Sequence, residues 1–245
     1  MVTREEAVRR ARDWLADAGR PADDIDIEVL EFDDGYVLWP VQPPGQPGAL
    51  PETIGGARAV VDRQTGELST WPMLPTPVIA DQYRQVRRAR ERFPAEVYDD
   101  LQAAGWRPGR NVAAAVDEWL RRTGIDRDLP MVDAARAALD EFGGLDIPQR
   151  GPGGKAGGGF PSHLYPGKNA PTTAEIREFA GILGEPVFPI GDHEDGPSHI
   201  VVDARGRVFL LHPMDDVFLG DTVDAALVWL VHGGDRPVVD AHGHW

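Results

Sequence analysis

Cysteine is absent from the 245 residues of this chain. Its absence excludes disulfide bonds, thiolate catalysis and thiolate metal sites together. Lysine occurs only at Lys155 and Lys168, so arginine carries almost all of the positive charge. Long apolar runs are missing as well, and no segment approaches the roughly 18–20 apolar residues of a transmembrane helix. We therefore expect a chain that neither inserts into a membrane nor uses sulfur chemistry.

The segment from Met1 to Glu6 is polar and charged, so it lacks the apolar core of a secretory signal peptide. A chain without cysteine is also compatible with a reducing compartment. Both features together predict a cytoplasmic protein.

Negative charge is in large excess, with 40 acidic against 25 basic residues and a net charge of −15. A surface of this sign repels phosphate backbones, which argues against nucleic acid as a partner. It attracts a basic protein and speeds the encounter with it. The same charge is equally compatible with a role in solubility alone, so it does not identify a function by itself.

The spacing of apolar residues divides the chain into two parts and predicts an α+β protein. In the first part, a capping pattern at Thr3 and Glu6 opens an amphipathic helix over residues 4–18. Four short strands follow, and a hairpin turn joins the last two. This order predicts a helix packed on a small antiparallel sheet over residues 1–75. A linker and a connecting helix are expected over residues 76–92.

The second part, residues 93–236, mixes helices and strands. Helices are expected over residues 94–104, 112–123, 131–142, 172–183 and 221–231. Strands are expected over residues 186–191, 199–203 and 207–212. We therefore expect several helices with a mixed sheet, followed by a loosely ordered tail over residues 237–245.

The helix expected over residues 78–92 carries the only concentrated group of positive side chains. They are Arg84, Arg87, Arg88, Arg90 and Arg92. Nucleic-acid contact is one interpretation of this group. We prefer the interpretation that it forms a solvated helix face or pairs with nearby acids.

Four motifs follow one another in the second part: Gly105-Trp106-Arg107-Pro108-Gly109-Arg110, Glu141-Phe142-Gly143-Gly144-Leu145, Pro189-Ile190-Gly191 and Val202-Asp203-Ala204-Arg205-Gly206-Arg207-Val208-Phe209. In order and spacing they resemble the third subgroup of the SUKH superfamily of bacterial immunity proteins. The resemblance covers residues 93–233 and implies a protein that binds toxins rather than substrates.

A second set of motifs lies in the first part: Trp14-Leu15, Gly35-Tyr36-Val37-Leu38-Trp39, Gly56-Ala57, Val60-Val61-Asp62-Arg63, and Thr65-Gly66-Glu67 with Trp71. They resemble the small YrhB-like immunity domain. The resemblance is less specific than the other, because such hairpins occur in many sheets. Two immunity-like modules in one chain nevertheless point to the same class of protein.

Catalytic motifs are weak in this sequence. The glycine-rich segment 149–159 invites a phosphate-loop interpretation, but Ala156 follows Lys155, and Gln149 stands where the first glycine belongs. No serine lies in a Gly-x-Ser-x-Gly elbow. The serines are Ser69, Ser162 and Ser198. We therefore expect a mobile loop at 149–159 and no serine catalysis.

Histidines gather at two places, His193 with His199 and His242 with His244. With the acids between the first two, they are ligand types that first-row metals bind. The chain lacks a His-Glu-x-x-His motif, so we expect no metal site and no cofactor. A metal-dependent hydrolase or small-ligand-binding protein that uses the segment from His193 to His199 stays open as an alternative.

The SUKH resemblance implies a protein that neutralises a cognate polymorphic toxin by stoichiometric binding, without catalysis of its own. Such toxins are often nucleases, whose basic grooves fit an acidic inhibitor. A regulatory scaffold outside toxin systems is a further alternative. Because the shared motifs look structural, we expect the loops to carry specificity. The residues expected to contact the partner are Asp192, Glu194, Asp195, Asp215, Asp216 and Trp39.

Overall fold

A computed structural model describes residues 1–18, 25–41, 57–151, 155–156, 159–166, 172–193 and 198–245. The chain folds into two compact units, Met1–Arg88 and Ala89–Trp245. The domain boundaries expected near residues 75 and 93 stay a prediction. Every helix in the described ranges is too short or too polar to cross a lipid bilayer.

The N-terminal unit is a helix followed by a four-stranded antiparallel sheet, with strands in the order β1-β2-β3-β4. Its elements are α1 (Arg4–Asp17), β1 (Ile27–Phe32), β2 (Gly35–Pro40), β3 (Arg58–Asp62), β4 (Leu68–Trp71) and the first part of α2 (Thr76–Arg92). This architecture confirms the helix-on-sheet prediction.

Helix α1 begins where the capping pattern predicts. The Thr3 hydroxyl accepts a hydrogen bond from the Glu6 amide at 3.2 Å, which satisfies a backbone donor that the first helical turn leaves free. Ala7 and Ala11 are buried at the four-residue spacing of one helix face. They pack with Tyr36 and its neighbours on one side of the sheet.

The other side of this sheet packs against α2. Ile79 and Ala80 of α2 form a cluster with Val37 and Val60 of the central strands. Tyr83 completes this contact by donating a hydrogen bond to the Asp62 carboxylate at 2.7 Å. The four-stranded sheet is therefore covered by a helix on each face, which fixes the register of its strands.

The arginines of α2 pair with nearby acids. Arg84 forms an ion pair with Asp81, and Arg87 bonds Asp34 at 3.0 Å. In the C-terminal unit, Arg92 bonds the carboxylates of Glu141 and Asp224, each at 2.7 Å. Pairing of the basic group with acids is therefore confirmed for these arginines.

The C-terminal unit is larger and contains a six-stranded sheet in the order β12-β11-β10-β9-β8-β5. Its helices are α3 (Ala95–Ala103), α4 (Ala113–Thr123), α5 (Ile125–Asp128), α6 (Asp133–Phe142), α7 (Thr173–Leu183) and α8 (Val223–His232). Its strands are β5 (Asp146–Ile147), β6 (Arg150–Gly151), β7 (Lys155–Ala156), β8 (Ser162–Leu164), β9 (Val187–His193), β10 (Ser198–Asp203), β11 (Val208–Leu211) and β12 (Val217–Gly220).

The α+β class is confirmed, but the sheet differs from the expected mixed arrangement. Each strand pair in the described part of the C-terminal unit is antiparallel. A helix precedes β9, yet the strands on both sides of β9 run against it. Within the glycine-rich segment, β6 and β7 pair with each other where a loop was expected, and residues 152–154 between them lie outside the described residues.

The motif residues of this unit build its core. Trp106 is fully buried and stacks on Phe142, with ring centroids 6.0 Å apart. The Trp106 indole donates to the Glu141 carboxylate at 3.2 Å. A side chain at Gly143 would collide with the Leu139 carbonyl at 2.4 Å, so this turn requires glycine. The core interpretation of Trp106 is confirmed, and Glu141 has a structural contact that explains its presence.

The C-terminal tail is packed, contrary to the loosely ordered tail expected from the sequence. Val238 forms a bridge with Val217 beside β12. Trp245 stacks on Phe218 with ring centroids 4.9 Å apart, and it covers the buried ring of Phe209 at 5.3 Å. The aromatic contacts order a segment whose composition alone favours disorder.

Replacing Trp245 with alanine tests this anchoring. We expect W245A to lower the free energy of unfolding by about 1–2 kcal/mol, because it removes a partly exposed aromatic stack and uncovers Phe209. Urea denaturation followed by circular dichroism measures the change. The matched control is H244A, since the His244 side chain is 79% exposed. Equal stability of W245A and wild type would show that the tail contributes nothing to the fold.

Candidate partner-binding surface

One end of the six-stranded sheet gathers the ends of its central strands. Ser162 of β8 and Ser198 of β10 both pair with His193, the last residue of β9. On the next strand, His199 pairs with Leu211, the last residue of β11. The last residues of β9 and β11 therefore lie at the same end of the sheet. Loops at one end of a rigid sheet are well placed to form a joint binding surface.

Asp215 and Asp216 lie in the loop between β11 and β12, at this end. Asp215 is exposed and Asp216 is partly buried. Burial raises the pKa of Asp216, and the negative charges of Glu175, Glu178 and Asp215 raise that pKa further, against a bond from the His212 amide. The charges of α7 and of this loop therefore lie close enough to interact electrostatically.

Asp192 also lies at this end, because it pairs with His199, which in turn pairs with Leu211. Asp192 and Leu211 are therefore two strand spacings apart, which corresponds to about 10 Å. We call Asp192, Asp215, Asp216, Glu175 and Glu178 the acidic end. The other predicted contacts between β9 and β10, Glu194 and Asp195, lie outside the described residues.

A row of alternating acids and histidines crosses the sheet at the acidic end. Asp146, His163, Asp192 and His199 are paired in this order on adjacent strands. We call these four residues the Asp–His ladder. His163 Nδ1 lies 2.5 Å from Asp146 Oδ1, and His199 Nδ1 lies 2.9 Å from Asp192 Oδ1. The Asp146 side chain is 81% exposed and that of His199 is 7% exposed, so the ladder runs from solvent into the interior.

Tyr165 holds the buried half of the ladder. Its hydroxyl donates to Asp192 Oδ1, the atom that also faces His199. Burial raises the pKa of Tyr165, and its bond to the Asp192 carboxylate raises that pKa further. The ring stacks on Trp119 of α4 at 5.2 Å. Asp192 is therefore fixed by internal bonds, and its role as a contact residue stays a prediction.

The histidines of the segment from His193 to His199 do not converge. Adjacent positions on a strand point to opposite faces, and Asp192, the partner of His199, directly precedes His193. The His193 ring bonds Ser162 Oγ through Nδ1 at 2.8 Å and lies 5.9 Å from Trp229 of α8. His199 instead faces the ladder. A site that needs both imidazoles on one ion does not fit this geometry.

A metal-dependent hydrolase also needs a substrate cleft and a cluster of metal ligands, and the described ranges do not bring these together at the two histidines. A cleft of about 400 Å³ lies at the start of β9, and neither His193 nor His199 lines it. Within the described ranges, no group of three or more His, Asp or Glu side chains is arranged to hold a metal ion. The rings of His242 and His244 lie 6.4 Å apart on the packed tail.

Trp39, the predicted contact in the N-terminal unit, is partly buried at the end of β2. The Arg58 guanidinium lies over its ring at 4.9 Å, an arrangement in which the cation is attracted to the aromatic face. Its ring also packs beside the cluster of Val37 and Val60. The structure gives Trp39 an internal role, and its role as an interface anchor stays a prediction.

Sequence reasoning missed two groups at this end of the sheet. Glu175 and Glu178 are three residues apart and both exposed on α7, a spacing that indicates one helix face. That signal is visible in the sequence, but it does not reveal that their charges act on Asp216. Asp146 and His163 carry no sequence signal, because only the pairing of β5 with β8 brings them together.

Comparisons with known proteins agree with the motifs. A family model described as SUKH-3 immunity protein matches residues 93–233, and one described as Immunity protein 35-like domain matches residues 5–90. No curated protein and no solved structure matches the chain significantly. The matches confirm the expected SUKH resemblance and an immunity domain in the N-terminal part. Both families suggest a toxin-neutralising role.

Burial of Asp216 and repulsion by its acidic neighbours predict a gain in stability when its charge is removed. The pKa of this carboxyl is higher in the folded chain than in the unfolded chain, so folding favours its protonated form. The stability that the protonated form provides is lost as pH rises through the raised pKa. We therefore expect D216N to be more stable than wild type at pH 7. The difference should vanish below the ordinary aspartate pKa of about 4.

Urea denaturation at pH 7 and pH 3 measures this effect. The matched control is D221N, because Asp221 is exposed and follows Gly220, which pairs with Val208 at the start of β11 and so lies at the opposite end of the sheet. Equal stabilities of D216N and wild type at pH 7 would contradict the destabilising effect of this charge.

Proposed function

Because the chain belongs to the SUKH-3 immunity protein family, we propose that it neutralises a cognate toxin by binding one toxin domain and occluding its active surface. The observation that carries this proposal is the family match over residues 93–233. The Immunity protein 35-like match over residues 5–90 supports it independently. Stoichiometric binding needs surface complementarity and no catalytic group on this chain.

We propose that the toxin is a nuclease. A nuclease groove that holds a phosphate backbone is basic, and a chain with a net charge of −15 complements it. Such complementarity raises the association rate and disfavours partners of the wrong charge. The encounter takes place in the cytoplasm in this proposal, since a nuclease toxin acts on nucleic acid there.

The acidic end is the proposed contact surface. Asp215 and Glu178 are exposed there, and Met214 in the same loop is 80% exposed. An exposed apolar side chain next to an exposed acid has the composition of an interface centre with a polar rim. Burial and the acidic neighbours of Asp216 disfavour its ionised form, and such a local cost in stability supports a role of this charge in binding. The adjoining Glu194 and Asp195 extend this proposal, as does Trp39 in the N-terminal unit.

Co-expression tests neutralisation directly. The probe is the C-terminal domain encoded by the gene adjacent to that of this chain, expressed from an inducible promoter. We expect this domain to stop growth and the full chain to restore it, because occlusion removes the toxic activity. The purified pair should elute as one complex with one copy of each chain. Failure to restore growth and to form a complex would overturn the proposed function.

Charge reversal at the acidic end tests the contact surface. We expect the double variant D215K/E178K to slow association with that domain by about tenfold or more at low salt, because steering depends on these charges. The difference should shrink at high salt, where screening shortens the reach of each charge. Stopped-flow measurements at two salt concentrations give the rates. The control D221K changes an exposed acid at the opposite end of the sheet, because Asp221 follows Gly220, which pairs with Val208 at the start of β11. Identical slowing by both variants would argue against the acidic end.

A further inference from the structure

Strand β1 lies at the edge of the N-terminal sheet and presents unpaired backbone groups. The Val41 amide donates to the Asp26 carbonyl at 2.7 Å. In an antiparallel pair the bonding direction alternates, so the backbone of Glu28 also faces β2. The backbone groups of Ile27, Val29 and Glu31 therefore point away from the sheet. Among the residues that the structure describes, no strand pairs with this outer side of β1.

The strand is held firmly on both faces, so its outer edge is preformed. Ile27 and Val29 pack with the residues beneath α1. Leu30 and Phe32 pack with the residues beneath α2. An added strand would meet a backbone that is already extended, and little ordering would be needed on this side. The opposite edge is shorter, because β4 spans only Leu68–Trp71 and Pro72 follows it.

The side chains along this edge are acidic. Asp26, Glu28 and Asp33 are exposed, and Glu31 is 53% exposed while it bonds Arg63 at 2.7 Å. Charged residues on an edge strand prevent pairing with another copy of the same edge, because like charges would be brought opposite each other. The same charges favour an incoming strand that carries lysine or arginine.

We propose that β1 receives an extended, basic segment of the toxin as an additional strand of the N-terminal sheet. Main-chain hydrogen bonds to Ile27, Val29 and Glu31 supply the affinity in this arrangement, and the acids select the partner. Asp26 and Glu28 lie on the same face of the strand, so the segment carries basic residues at alternating positions. The inference rests on the proposed function and assigns a separate contact to the N-terminal unit.

Replacing Val29 with proline in the full chain tests this contact. Proline removes the outward amide and leaves the bonds to β2 intact, which edge strands tolerate. The matched control V29A keeps the amide and loses a similar amount of packing. With the adjacent gene's toxin domain as the probe, we expect V29P to bind about tenfold or more weakly than V29A. Titration calorimetry measures both affinities, and urea denaturation checks that both variants fold.

Hydrogen exchange on the wild-type complex gives a second readout that needs no substitution. We expect the amides of Ile27, Val29 and Glu31 to exchange more slowly in the complex than in the free chain. A stable complex in which these amides exchange at the rate of the free chain would overturn the inference. Equal affinities of V29P and V29A would overturn it as well. Absence of any complex with the wild-type chain would instead overturn the proposed function, and this inference with it.

Discussion

The antiparallel register across β8, β9 and β10 governs the C-terminal unit. Pairing of His193 with both Ser162 and Ser198 sends its side chain to one face of the sheet. The next row, through Asp192 and His199, faces the other way. A shift by one residue would exchange these faces. This register separates the two histidines, builds the Asp–His ladder and places the last residues of β9 and β11 at one end of the sheet.

Stability and the proposed binding role make opposite demands at the acidic end. Elsewhere in this unit, acids pair with arginines, as Glu141 does with Arg92, or accept backbone amides, as buried Asp203 does from Arg205 and Arg207. At Asp216 the neighbouring charges that act on the carboxyl are instead acidic. Such local conflict with folding is expected where a surface serves another molecule.

Local elements were well predicted because their signals lie within a few residues. The α1 helix begins after Thr3, as its capping pattern requires. Strand β12 was missed, since four residues carry too little periodicity. The helix expected over residues 221–231 begins at Val223 and is capped by Thr222 rather than by the adjacent Asp221, since the Thr222 hydroxyl accepts from the Ala225 amide. Both Asp221 and Thr222 are residue types that cap helices, and the sequence pattern alone does not show which of the two occupies the N-cap position.

The candidate surface was predictable only in part. Composition and motifs determine an acidic protein of the immunity class, because net charge and motif spacing are properties of the chain itself. Folding alone brings Glu175 to Asp216, pairs Asp146 with His163 and places Trp245 over Phe209. Each of these pairs is distant in sequence or joins different elements. Their contacts depend on strand order and packing, which short-range patterns do not encode.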